Sequence, residues 1–161
     1  MTETLTLRAT TAADLAEVDA LFGRSYPALL KDHYPPSVRV TAIPKLARAN
    51  PRLLASGSYF AVVDGAGAIV GAGGWTRGPG GIAEVRHVVT DHRRVRQGIG
   101  RALMGHIAAT SGRAGAVRLE CLATLMAVPF YAACGFAAVR PVTLELCPGI
   151  GFRAVQMRRV L

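Results

Sequence analysis

Alternation and helical spacing divide the chain into an ordered series of elements. Leu5-Thr6-Leu7-Arg8 alternates apolar with polar residues and reads as a short strand. Thr11 followed by Asp14 is a helix-start signal, after which Leu15, Val18, Leu21 and Phe22 recur at helical spacing. Pro27 is expected to interrupt that helix. Pro35, Pro36 and Pro44 should break the region up to about Asn50 into short helical pieces, and Pro51 to Gly57 reads as a connection. Two apolar runs, 59–63 and 68–75, flank the turn Asp64-Gly65-Ala66-Gly67 and predict a hairpin. The glycine-rich loop Gly78-Pro79-Gly80-Gly81 leads to a strand over 82–89. After Gly98 the period turns helical, with Ile99, Leu103 and Ile107 four residues apart. A strand over 117–122 and a short helix over 128–134 follow, the helix ending at Gly135 as helices commonly do. Strands over 136–146 and 153–160 close the chain. This order predicts an α+β fold around a mixed, mostly antiparallel central sheet.

Composition narrows the class. A chain of 161 residues, 51% of them hydrophobic, fits one domain (1–161) with a sizeable core, and excludes a disordered or collagen-like polymer. No apolar run reaches ~18 residues, and the N-terminal MTETLTLRAT lacks a basic-then-apolar leader. A membrane span, a membrane partner and a secretory signal are therefore not expected. Cys121, Cys134 and Cys147 are odd in number and widely spaced, with no CxxC pair. That pattern supports neither a metal site nor a disulfide framework, and points to free thiols in the cytoplasm.

The charge is informative because it is arginine. Nineteen basic against ten acidic residues give +9, and Lys31 and Lys45 are the only lysines. Guanidinium groups bind phosphates in fixed fork geometry. Arg86, Arg93, Arg94, Arg96 and Arg101 crowd one stretch without interleaved aromatics. A single basic focus suits a compact polyanion better than a nucleic acid, so no nucleic-acid partner is expected. There a strand ending Val88-Val89-Thr90 runs through a polar loop into a helix opened by Gly98-Ile99-Gly100. Unpaired helical N–H groups, the helix dipole and flanking arginines together make a pyrophosphate cradle. It is not a Walker loop, since no Gly-Lys-[Ser/Thr] follows, nor a dinucleotide fingerprint, since Leu103 stands at the third glycine position.

Arg96-Gln97-Gly98-Ile99-Gly100-Arg101-Ala102-Leu103 resembles the acetyl-CoA-binding motif of the GNAT N-acetyltransferase superfamily, written [Gln/Arg]-x-x-Gly-x-[Gly/Ala]. Ala127-Val128-Pro129-Phe130-Tyr131-Ala132-Ala133-Cys134-Gly135-Phe136 resembles its Phe-Tyr-x-x-x-Gly-Phe block. The resemblance implies a GNAT-like fold with helices on both faces of the sheet and acetyl-CoA as co-substrate. It also implies direct attack of an acceptor amine, on a small molecule or peptide, at the thioester. A non-catalytic acyl-CoA-binding regulatory module of the same fold is the alternative. Val95 stands where the motif has Gln or Arg, and Thr124 where many relatives have Asn.

By the same resemblance, the pantetheine arm pairs with Val88, Val89 and Thr90, and the pyrophosphate lies on Arg96, Gln97, Gly98, Ile99, Gly100 and Arg101. Thr124 is a weaker contact. Tyr131 is the acid for the leaving thiolate. The base comes from the strand 82–89, with Glu84 first and His87 second, while His92 in the loop is expected to be solvated. Tyr26, His33, Tyr34 and Trp75 are expected acceptor-pocket walls. The scarcity of acidic residues disfavours polyamine acceptors. The resemblance also allows a homodimer through the late strands.

Overall fold

The computed structural model describes residues 3–161. Seven strands, β1 (Thr6–Ala9), β2 (Tyr59–Val63), β3 (Ile69–Arg77), β4 (Ile82–Thr90), β5 (Arg118–Thr124), β6 (Ala137–Cys147) and β7 (Ile150–Val160), form one sheet. Their order is β1-β2-β3-β4-β5-β7-β6, so the last strand inserts between β5 and β6. Only β4 and β5 run parallel; every other neighbouring pair is antiparallel. The parallel pair needs a long crossover, and α5 (Ile99–Arg113) supplies it.

The helices cover both faces, as the resemblance implied. One face carries α1 (Leu15–Leu30), α2 (Pro36–Thr41), α3 (Ile43–Leu46) and α4 (Pro51–Leu54), whose Val18, Leu21, Phe22 and Ile43 pack with Tyr59 and Phe152. The opposite face carries α5, whose Ile99, Leu103 and Ile107 pack with Val85 and Leu119, and α6 (Val128–Ala133), which adds Tyr131. Burial of each such side chain contributes about 1.5–3 kcal/mol.

The helix-start signal is a capping box: Thr11 Oγ1 accepts from the Ala13 N–H, and Asp14 accepts from the Thr11 N–H. The expectation for Pro27 fails, because α1 continues through it to Leu30. Proline removes one helical N–H and crowds the carbonyl four residues back. That carbonyl belongs to Gly23, on the same exposed side of the helix as Pro27, where solvent can satisfy it. Among the described residues, no helix is long and apolar enough to cross a membrane.

Candidate active site

The site exists because two strands part. β4 and β5 pair through Ile82–Arg118, Ala83–Leu119 and Glu84–Glu120, and beyond Glu84 they diverge. On the other side of β4 a bulge interrupts the ladder: Gly74 pairs with Arg86 but Ala72 pairs with Val89, so β4 carries the extra residue. His87 occupies the bulge with φ 44°, a left-handed conformation uncommon for a residue with a Cβ. Its carbonyl accepts from Tyr59 Oη at 2.7 Å. Glycine is needed opposite, since a Cβ on Gly74 would lie 2.3 Å from the Ser58 carbonyl oxygen. Between the parted strands lies a cleft of about 840 Å³, bounded by α1, the start of α5, α6 and β7.

One end of the cleft has the geometry to take an anion. Gly98, with φ 80°, turns the chain into α5, and the first helical bond runs from the Ala102 N–H to the Gly98 carbonyl at 2.9 Å. The preceding amides of the first turn are left free, at the positive end of the helix dipole. A Cβ on Gly100 would lie 2.9 Å from Phe130 Cε1, so the helix start packs closely on α6. The cradle therefore fits a pyrophosphate. Gly100→Val should weaken CoA binding about tenfold through overpacking, measurable as a raised Kd by titration calorimetry.

The five clustered arginines do not act together. Arg93 pairs with Asp91 at 2.8 Å, Arg86 pairs with Glu84, and Arg94 is engaged by Glu3, Asp64 and Gln97. Only Arg96 and Arg101 of this group lack an acidic partner among the described residues, and both line the cleft. The basic focus read from sequence is thus mostly structural.

Asp91, 1% exposed, is its centre. It accepts from Arg93 and Arg24, tying α1 to the loop after β4, and these bonds hold its carboxyl well below the ordinary range. Asp91→Asn should cost roughly 2 kcal/mol near neutral pH, less than a fully buried pair because Arg93 remains exposed. In a thermal melt that is a fall of about 6 °C. The folded pKa lies below the unfolded value of about 3.9, so the stabilisation is complete above that pH. It is lost as pH falls through the folded pKa, and the gap between variant and wild type closes in strong acid. His92, expected to be solvated, is partly covered beside this carboxylate, its Nδ1 3.7 Å from Asp91 Oδ1.

The cleft brings together Glu84, His87, Val88, Val89, Thr90, Arg96, Gly98, Ile99, Gly100, Arg101, Thr124 and Tyr131. The side chain of Gln97 instead accepts from Arg94 at 3.0 Å. Glu84 is 39% exposed and bound by Arg86. His87 stacks on Phe22 at 5.8 Å, and its Nδ1 lies 3.4 Å from Tyr26 Oη. Burial first, and Arg86 second, lower its pKa from the ordinary imidazole value. Tyr131 is buried against Phe130 and Phe136, and burial, then Cys121, Tyr26 and Cys134, raise its pKa well above that of free tyrosine.

Of the expected acceptor walls, only Tyr26 lines the cleft. Trp75 is on the far side of the sheet, its Nε1–H donating to Thr110 Oγ1 at 2.9 Å. His33 is exposed, and Tyr34 is fully engaged by backbone, donating to the Arg153 carbonyl and accepting from the Leu125 N–H. Sequence reasoning left out Cys121, a buried residue that lines the cleft and whose thiol is pushed up to about 12, chiefly by burial. It missed Tyr59 as the clamp on the bulge as well; an aromatic in a buried strand carries no such signal.

The acetyltransferase (GNAT) domain family matches residues 36–161. The chain belongs to this family, and it is an N-acetyltransferase with acetyl-CoA as co-substrate. Its fold is similar to that of a GCN5-related N-acetyltransferase from Rhodopseudomonas palustris, with TM-score 0.82 at 21% identity over 100% of this chain and 99% of that one. It is also similar to the PaiA N-acetyltransferase of Thermoplasma acidophilum, solved with coenzyme A, with TM-score 0.77 at 12% identity over 98% and 99% of the two chains. A Mycobacterium tuberculosis protein solved with CoA gives TM-score 0.67 at 20% identity over 97% and 99%. No curated sequence matches the chain.

Proposed function

We propose that residues 1–161 act as a single cytoplasmic domain that moves the acetyl group to a primary amine by direct attack of that amine on the thioester. The observation that carries this reading is the shared cleft: His87 and Tyr131, both with shifted pKa values, line the opening that also holds the anion cradle. Bound acetyl-CoA supplies an activated acyl group. Arg96, Arg101 and the free amides at the start of α5 hold its pyrophosphate, and the edge of β4 beyond Glu84 offers backbone groups to its pantetheine arm.

His87 is the base in this scheme, in preference to Glu84, whose carboxylate is already bound by Arg86. A lowered pKa keeps the imidazole neutral at pH 7, so it can accept a proton. In the tautomer whose Nδ1–H donates to Tyr26 Oη, Nε2 keeps the lone pair that takes the proton from the amine. Tyr131 Oη stays protonated and donates towards the departing sulfur.

Release of free thiol from acetyl-CoA on mixing with amines tests the reading. Thermal stabilisation by CoA without thiol release from any amine would overturn it in favour of a binding module.

A further inference from the structure

We propose that the acceptor is a compact primary amine with an apolar body, an arylalkyl or short alkyl amine; this rests on the reading above and names its substrate class. The wall of the cleft beyond His87 is apolar. Tyr26, Leu29 and Leu30 of α1 line it, and their spacing of three and four residues places them on one helix face. Leu46 of α3 joins them, with Leu144 and Phe152, which are paired across β6 and β7.

Tyr26 Oη touches His87, so Leu29 and Leu30 stand about one helical turn, roughly 5 Å, further along α1. A short alkyl chain spans that distance. It allows an amino group at the imidazole and an apolar body against the leucines.

The charges on the cleft wall are placed elsewhere or neutralised. Arg96 and Arg101 stand at the anion cradle. Glu84 is bound by Arg86, and Glu120 by Arg158 at 2.7 Å. Among the described residues, no uncompensated carboxylate lines the cleft to hold a second ammonium group, and no free cation stands among the leucines to hold a carboxylate. Polyamines and acidic amino acids therefore lack a counterion in this compartment, and an amino sugar would meet apolar side chains with its hydroxyls.

The wall is also braced by contacts within the protein. Tyr34 stacks on Phe152 at 4.5 Å while donating to the Arg153 carbonyl at 2.6 Å, and Lys45 Nζ donates to the Leu146 carbonyl at 2.8 Å. These contacts tie the β6–β7 hairpin to the helices. The apolar surface is thus presented in one arrangement, which favours a ligand of matching shape.

The test measures thiol release by purified protein with acetyl-CoA and one of several amines: ethylamine, butylamine, hexylamine, 2-phenylethylamine, spermidine, glucosamine or glutamate. The expected kcat/KM rises about fourfold per methylene until the wall is covered. 2-Phenylethylamine should then exceed spermidine, glucosamine and glutamate by about tenfold or more. Leu144→Asp should remove most of that preference while leaving the calorimetric Kd for CoA unchanged. The milder Leu144→Ala should lower kcat/KM for 2-phenylethylamine severalfold if the aspartate variant folds poorly.

A flat response to chain length overturns this inference and leaves acetyl transfer standing, as does faster turnover of spermidine, glucosamine or glutamate. CoA binding with no thiol release from any amine overturns the catalytic reading, and this inference with it.

Discussion

His87→Asn is expected to lower kcat/KM about 10²-fold near neutral pH, the usual contribution of a positioned general base. Asparagine is chosen because it tolerates the left-handed backbone that the bulge imposes at φ 44°. The wild-type profile should rise with pH through the pKa of His87, which burial and Arg86 place below the ordinary imidazole value. Above that pKa the imidazole is neutral and the limb flattens. The variant should lose this limb and keep only the rise at higher pH from deprotonation of the acceptor amine itself. CoA affinity should stay unchanged, since His87 lies away from the anion cradle. A limb that survives in His87→Asn but vanishes in Glu84→Gln would transfer the role to Glu84.

Tyr131→Phe should lower kcat at least tenfold, and CoA affinity by no more than about twofold. The substitution removes one oxygen from a ring packed between Phe130 and Phe136, so the packing survives. Burial raises the phenol well above its ordinary value, which keeps the proton on Oη at every working pH and gives Tyr131 no limb of its own in the rate profile. A phenol raised alone would be a poor acid for a thiolate. The leaving sulfur, however, departs inside the same cleft. Cys121, a thiol in its wall, is itself pushed up to about 12, chiefly by desolvation. Burial raises a thiol as it raises a phenol, so desolvation of a sulfur leaving inside the cleft would offset part of the shift of Tyr131. Unchanged kcat in Tyr131→Phe at saturating substrates would remove the phenol from the chemistry.

The helix start was legible in the chain because its causes are local. A glycine that takes the left-handed turn, Gly98, and the free amides of the first helical turn all fall between Arg96 and Ala102. The capping box at Thr11 and Asp14 was readable for the same reason. Pro27 shows where a local rule yields to context: helix packing outweighs one lost bond on the solvent side. The arginine cluster shows the converse. Guanidinium groups adjacent in sequence serve different partners, because Asp91, Glu84, Asp64 and Glu3 reach them from elsewhere in the fold.

Local patterns along the chain carried the order of the strands, the helix start at Gly98 and the family, since each depends on residues close in sequence. They read 51–57 as a connection, where the fold forms α4 (Pro51–Leu54). The tertiary structure decided which titratable groups share the cleft. Strict alternation would place His87 with Val85, towards α5. One extra residue in β4 turns it instead to the face of Phe22 and Tyr26, because side chains alternate with a period of two and a bulge resets the count. The same distinction separates Tyr26, which lines the cleft, from Trp75, which lies behind the sheet.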